Sequence, residues 1–342
     1  LLDSLSGRQD ALATTQDIYE RKAVLIVASD LSQEQPFLAW QVRANARHHG
    51  AHIYTVTPGP VREGKIAVKS VISPEGQELQ GAESLRELLK AEPELAILFG
   101  AAVKGDSIRQ LVAFGDSLGI PVKYVALLDY SNSRGALDMG LLPDLGPGYR
   151  ALETPGLSID QMLADEALDA LWVVGANPLS RYTLASQKAF VVVQDLFLTE
   201  TANRADVVFP AASAYEKTGT VTNVCGEVQR LKQAIRVTGT KTDLEIIGLL
   251  AKELGANIGI WLADKVFAEI RASVPGYNVP LPVITTGGAA QTAAVNGHVP
   301  FLPRPDLIQS ARNTLFTSGS LGRYSKSLEQ RREAPGALYQ GN

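Results

Sequence analysis

The run AVLIVA at residues 23–28, the stretch EQPFLAWQVRANARHHG at 34–50 and the run HIYTVT at 52–57 follow one another almost without spacer. An uninterrupted apolar run of strand length must be buried on both faces, which only a sheet covered on two sides provides. Between the two runs, Phe37, Leu38, Trp40, Gln41 and Ala44 recur at helical spacing, and Gly50 stands where a helix C-terminus favours left-handed backbone. Strand, helix and strand in so short a span make a βαβ unit with parallel strands and a right-handed crossover.

The alternation continues down the chain. Ser84 to Leu89 reads as a helix, Leu95 to Phe99 as a strand, Asp106 to Leu118 as a helix with Ile108, Leu111, Val112, Gly115 and Leu118 on one stripe, and Val122 to Leu128 as a strand closed by Asp129. Pro58 to Gln80 breaks into Gly, Pro and short alternating pieces, which suggests a loop or a hairpin-like excursion. Ser131 to Arg150 is rich in glycine and proline without periodicity, a loop length that inside a compact domain usually has a functional reason. Leu157 to Leu168 is a short amphipathic helix, Leu171 to Val174, Phe190 to Val193 and Ala205 to Pro210 are strand runs, and Thr242 to Leu254 is a helix capped at both ends. Trp261 to Ala272 is a further helix, Val279 to Pro305 an irregular linker, and the tail from Asn313 holds LFTSGSLGRYSKSLEQ. The fold class is therefore α/β: two doubly wound parallel-sheet units facing a cleft, plus an irregular C-terminal tail. The expected units are residues 1–82 together with 205–275, residues 83–204, and a linker and tail over 276–342.

Composition removes several functions. Basic and acidic residues number 32 and 36, a net charge of −4, which gives neither a nucleic-acid footprint nor an electrostatic membrane anchor. The apolar runs are strand-sized, far below the roughly 20 residues of a bilayer-spanning helix, so no direct membrane insertion is expected. Cys225 is the single cysteine, so neither an intramolecular disulfide nor a cysteine-ligated iron–sulfur cluster can be built from this chain alone. His48, His49 and His52 cluster where a helix C-terminus favours positive charge, with no residues nearby to complete a metal site. The opening LLDSLSGRQD has no initiator Met and no signal-peptide pattern, and a preceding segment is expected.

Residues 171–230 carry the densest chemistry. Gly175-Ala176-Asn177-Pro178 directly follows a strand, so a tight turn there presents the Asn side chain and free N–H groups above the strand ends. Gln194-Asp195 ends the neighbouring strand, where a carboxylate commonly meets a ribose hydroxyl or a guanine edge. Thr199 opens a short helix as an N-cap, and Gly219 to Asn223 is an extended strip of small, hydrogen-bonding residues. An ordinary strand-to-helix turn and an ordinary cap explain the same residues without a ligand. No Ser-His-Asp set, carboxylate pair or Cys-His pair recurs at interpretable spacing, and neither G-x-G-x-x-G nor G-x-x-x-x-G-K-[ST] is present. A free-standing nucleotide-binding module of another kind stays open.

The order GANP, VQDLFLTETANRADVVFPAASAYEKTGTVTN and EVQ resembles the molybdopterin oxidoreductase superfamily, with its G-x-N-P, Q-D-x-F-x-T-E-T-A, A-D-V-V-L-P and G-T-x-T-N-x-E-G-R-x-Q segments. The upstream NSRGALDMGLLPDLGPGY and the tail FTSGSLGRYSKSL are similar to two further segments, so the likeness runs from Ala23 to Leu328. Within that superfamily the chain most resembles the large G-type subunits in the peripheral arm of NADH-quinone oxidoreductase, respiratory complex I. The resemblance implies a non-catalytic scaffold, peripheral on the cytoplasmic side of the inner membrane, which supports electron transfer from NADH to quinone. Its partners would be other peripheral-arm subunits, and its iron–sulfur clusters would lie in an earlier part of the full subunit. This chain alone would be inactive and hold no cofactor or metal. Gly175, Asn177, Gln194, Asp195, Thr199, Gly219 and Asn223 would be the positions of a vestigial, empty pterin site.

Two residues depart from the pattern: Cys225 stands where the superfamily has Glu, and Glu227 where it has Arg. A charge-assisted bond to an anion is worth about 1.5–3 kcal/mol, so the second exchange removes an attraction and adds a repulsion. The alternative is a fragment of a catalytic molybdopterin oxidoreductase, formate dehydrogenase-like or nitrate reductase-like, which would bind molybdopterin.

Overall fold

The computed structural model describes residues 1, 4, 5, 8, 10–256, 258, 259, 262–279 and 327; most of the expected linker and the tail motif lie outside them. α1 (Thr15–Glu20) leads into β1 (Ala23–Val27), α2 (Leu31–Glu34), α3 (Pro36–His49) and β2 (His52–Thr57), the βαβ unit expected from the sequence. Pro36 opens α3 and Gly50, at φ 68°, closes it. Then come β3 (Lys69–Ile72), α4 (Glu78–Glu83), α5 (Arg86–Lys90), β4 (Leu95–Phe99), α6 (Asp106–Ser117) and β5 (Val122–Ala126). The strands form one parallel sheet in the order β3-β2-β1-β4-β5.

Every residue of the central β1 is buried. Leu25 and Val27 enter one core with Tyr54, Ile97 and Phe99, while Val24 and Ile26 enter the opposite core with Ile53 and Leu98, the two-residue alternation of a strand. Each such Leu, Ile or Val contributes about 1.5–3 kcal/mol on burial, so this strand anchors the sheet from both faces. α3 is tied to α1 by buried Asn45, whose Nδ2 donates to the Ile18 and Arg21 carbonyls, both at 2.8 Å. At the carboxyl edge β1 and β4 approach so closely that a Cβ on Gly100 would stand 2.2 Å from the Ala28 carbonyl oxygen.

Several local expectations are corrected. Pro58 to Gln80 is no hairpin: after a single 3₁₀ turn at Arg62–Lys65 the chain adds β3 parallel to β2, from Tyr54↔Lys69 to Thr57↔Ile72. Its mostly exposed side chains mark an edge strand, whose alternation is the same as that of a hairpin arm. The helix expected over Ser84–Leu89 is α5, Arg86–Lys90, and a further short helix, α4, precedes it. Nor does hydrogen bonding follow the expected division at residues 82/83. β4 and β5 pair into the same sheet as β1, because the fully apolar β1 needs a neighbour on each side and β4 supplies the second.

Beyond β5 the expected loop is folded, with α7 (Ser133–Asp138) and a two-residue ladder between β6 (Leu145–Gly146) and β7 (Arg150–Ala151). After α8 (Ile159–Ala164), the strands β8 (Ala170–Val174) and β9 (Phe190–Asp195), the helix α9 (Glu200–Arg204) and β10 (Val207–Pro210) form a second parallel sheet, β10-β9-β8. β10 therefore belongs with β9 and not with the first unit. Leu171, Val173, Val191 and Val193 pack with Leu163 of α8 and Ala202 of α9. The opposite face leaves Trp172 42% and Phe190 51% exposed, which accounts for the alternating burial of β8. The expected extended strip at Gly219 is β11 (Gly219–Thr222), paired antiparallel with β12 (Val228–Leu231). α10 (Asp243–Glu253) begins with a capping box of Thr242 and Glu245, and α11 (Ala263–Ser273) completes the described elements. Among the described residues no helix is long and apolar enough to cross a membrane.

A buried carboxylate holds three distant segments together. Asp138 of α7 is fully buried and accepts from Arg134 Nε at 2.8 and 3.0 Å, from the Tyr149 hydroxyl at 2.7 Å and from the Tyr277 hydroxyl at 2.8 Å. The Tyr277 hydroxyl also meets Thr222 Oγ1 at 2.9 Å, and Thr222 N donates to Asn132 Oδ1. Burial opposes the charge on Arg134, but Asp138 outweighs it and raises the guanidinium pKa. Replacing Asp138 by Ala strands a buried guanidinium and should destabilise by about 3–5 kcal/mol, read as a lower denaturant midpoint. Gly100→Ala should lose about 1–3 kcal/mol through overpacking in the same measurement.

Candidate functional site

Gly175, Asn177, Gln194, Asp195 and Thr199 come together at the carboxyl end of the second sheet. Val174 is in register with Gln194, which is in register with Phe209, and Gly175 N donates to the Gln194 carbonyl at 2.8 Å. Gly175 takes φ 62°, and open space surrounds its Cβ direction, so the turn after β8 uses the left-handed backbone that glycine permits. This is the position where ligands meet open parallel sheets.

The polar groups gathered there bind one another. Asn177 Oδ1 accepts from Thr201 N at 3.1 Å and Thr201 Oγ1 at 2.8 Å, and its Nδ2 donates to Glu200 Oε2 at 2.5 Å. That last bond holds the Glu200 carboxyl below its usual range. Thr199 caps α9 through Ala202 N at 3.1 Å. Asp195 Oδ1 accepts from Leu196 N at 2.6 Å. Gln194 is fully buried; its Nε2 donates to Asp243 Oδ1 at 2.6 Å, whereas its Oε1 has no partner. Asp243 also pairs with Lys217.

Gly219 and Asn223 lie on the β11–β12 hairpin. Asn223 closes its own turn, accepting on Oδ1 from the Cys225 and Glu227 amides, each at 3.0 Å. Glu227, only 8% exposed, is turned inward. Its carboxylate accepts from Thr15 Oγ1 at 2.8 and 3.0 Å, Thr15 N at 3.2 Å and Asn223 Nδ2 at 2.9 Å. The residue read from sequence as repelling an anion is thus the post that fastens the hairpin to the N-terminus of α1. Cys225 sits in the core beside β1, and burial, with Glu227 alongside, pushes its thiol pKa up. A thiol held protonated is neither a nucleophile nor a ready metal ligand.

A pterin dinucleotide is a polyanion and needs cations or free N–H groups. The carboxyl end of the second sheet offers Asp195, Glu200 and Asp243, with Lys217 already paired to Asp243. The unpartnered Gln194 Oε1 is an acceptor sealed from solvent. Such acceptors suit the N–H edge of a pterin or guanine ring and not its phosphates. Among the described residues, no cluster of three or more His, Cys, Asp or Glu side chains is placed to hold a metal ion. Sequence reading missed Asp243 and Lys217, for which a first-turn acid and an isolated Lys gave no distinguishing signal. It also missed Asp138, although the segment NSRGALDMG, similar to a superfamily loop, contains it.

Comparison with known proteins sets this geometry in context. The second G-type subunit of NADH-quinone oxidoreductase from Rhizobium meliloti is 24% identical over 402 aligned positions, covering 94% of this chain and 47% of that protein. F420-dependent formate dehydrogenase 1 subunit alpha of Methanococcus maripaludis is 35% identical over 176 positions, covering 43% of this chain and 26% of that protein. The chain thus spans between a quarter and a half of these relatives. Among solved structures, acetylene hydratase from Pelobacter acetylenicus superposes with a TM-score of 0.53 at 11% identity, covering 74% of this chain and 49% of that one, a likeness of fold. The family model for molybdopterin oxidoreductase matches residues 5–253, and the chain belongs to that family.

Proposed function

We propose that the chain is a scaffold section of a G-type NADH-quinone oxidoreductase subunit, carrying the molybdopterin oxidoreductase fold without working as a molybdenum site. Its role is to hold neighbouring peripheral-arm subunits in place while electrons pass from NADH to quinone through clusters that other parts of the assembly supply. The observation that carries this reading is the closure of several candidate side chains on their neighbours: Asn177, Thr199 and Asn223 bond nearby groups and Glu227 is fixed to Thr15, while Gln194 Oε1 stays buried without a partner. The Rhizobium meliloti relative, aligned over 94% of the chain, supports the same choice. Purified full chain from cells that make molybdopterin should contain no stoichiometric molybdenum and should co-purify with NADH-binding and quinone-side subunits. Molybdenum at one per chain, or recovery with a formate- or nitrate-linked partner, sinks the proposal.

A second reading is a section of a catalytic formate dehydrogenase. It draws on the higher identity, 35%, to the Methanococcus maripaludis protein, although that alignment covers 43% of the chain. Position 227 separates the two. If the hairpin faced a bound anion, Glu227→Arg would restore the superfamily residue at little cost in stability. With the carboxylate bonded to Thr15 and Asn223, the substitution should instead leave their donors unmatched and destabilise by about 1–3 kcal/mol, seen as a lower melting temperature with no gain in pterin binding.

A further inference from the structure

Among the described residues the second sheet is covered on one face. Leu163 of α8 and Ala202 of α9 pack on Leu171, Val173, Val191 and Val193. On the other face Trp172 is 42%, Val174 47% and Phe190 51% exposed. Ala170, Trp172 and Val174 are in register with Phe190, Val192 and Gln194, so all six share that face, and none is charged. β8 also ends the sheet: in the order β10-β9-β8 no described strand pairs with its outer edge, and its sequence ALWVV has neither the charge nor the proline that protects a free edge. A sheet of parallel strands needs cover on both faces.

The winding of the chain tells which kind of piece completes this sheet. Right-handed crossovers place the connecting helices on one face while strands are added in one direction, and on the other face when the direction reverses. The first sheet does both. From β1 to β2 the chain goes one way, with Leu38 and Val42 of α3 in the core of Val24 and Ile26; from β4 to β5 it goes the other, with Leu111 and Phe114 of α6 in the core of Leu25 and Val27. The second sheet goes one way, β8 to β9 to β10, and receives its helices on one face. We propose that it is half of a doubly wound sheet, whose other half is a strand paired parallel to β8 with its crossover helix on Trp172 and Phe190, supplied by the same polypeptide outside residues 1–342. The length of the relatives supports that source: the chain covers 47% of the Rhizobium meliloti protein and 49% of acetylene hydratase, so about as much polypeptide again accompanies this fold. A second copy paired along β8 would lengthen the sheet and leave the apolar face of both copies open. This holds whichever oxidoreductase the chain serves.

The test uses the full-length protein in its native host with a photo-crosslinking benzophenone side chain at position 190, where one aromatic group replaces another, followed by sequencing of the crosslinked peptides. The expected product joins position 190 to a residue of the same polypeptide outside 1–342. In the purified full-length protein the amides on the outer edge of β8 should exchange with deuterium as slowly as those of β1. Trp172→Glu should lower its melting temperature by about 5 °C or more, because the carboxylate is forced among apolar groups. Crosslinks to a second copy, identified by isotope mixing, to another protein or to residues 280–342 overturn the proposal, as does the absence of any crosslink. A native polypeptide with no residues outside 1–342, β8 amides that exchange like open loops, or a melting temperature indifferent to Trp172→Glu overturn it equally.

Discussion

The two-sided burial of β1 is the constraint on which the rest of the structure depends. A strand with no polar residue has no face to give to water, so helices must cover the sheet on both sides and parallel neighbours must flank it. Asn45 joins α3 to α1 on one side of this strand, and Gly115 lets α6 approach Tyr124 on the other. Cys225, far away in sequence, packs into the same core as Val24 and Ile26. That contact draws the β11–β12 hairpin against the first sheet, and Glu227, two residues on, completes the attachment through Thr15. The position of Gly219 and Asn223 therefore follows from the burial of a strand that has no chemistry of its own.

Much of this was legible in the sequence. β1, α3, β2, β4, α6 and β5 are marked by apolar runs, helical spacing and the glycine at position 50, and these are local signals. The grouping of strands into sheets was less legible, because it is settled by which strand needs a neighbour. Nothing within residues 83–204 announces that β4 and β5 belong beside β1, and nothing in ADVVFP says that β10 pairs with β9. The same holds for the site. Gly175, Asn177, Gln194, Asp195 and Thr199 lie at strand and helix ends and could be found by position, whereas Gly219 and Asn223 were grouped with them through the resemblance of the strip GTVTN to a superfamily segment. Tyr277 had no sequence signal, since its bond to Asp138 joins residues 139 apart.

Hydrogen bonding explains how this part of the fold keeps its form. A buried polar group left without a partner costs about 1–3 kcal/mol. Where no ligand supplies partners, neighbouring side chains that can reach must do so. Asn177 finds Thr201 and Glu200, Gln194 Nε2 finds Asp243, and Asn223 finds the two amides of its own turn. Each closure also stiffens a loop that a ligand would otherwise order.

Glu227 carries this logic furthest. An arginine in its place would present a cation and no acceptor, and the Thr15 amide at the N-terminus of α1 requires an acceptor. A carboxylate meets that need and is favoured there by the partial positive charge of the helix end. A carboxylate at position 227 thus holds the N-terminus of a helix, which an arginine could not do. Stability and anion binding make opposite demands on this position, and the bonds to Thr15 and Asn223 favour stability.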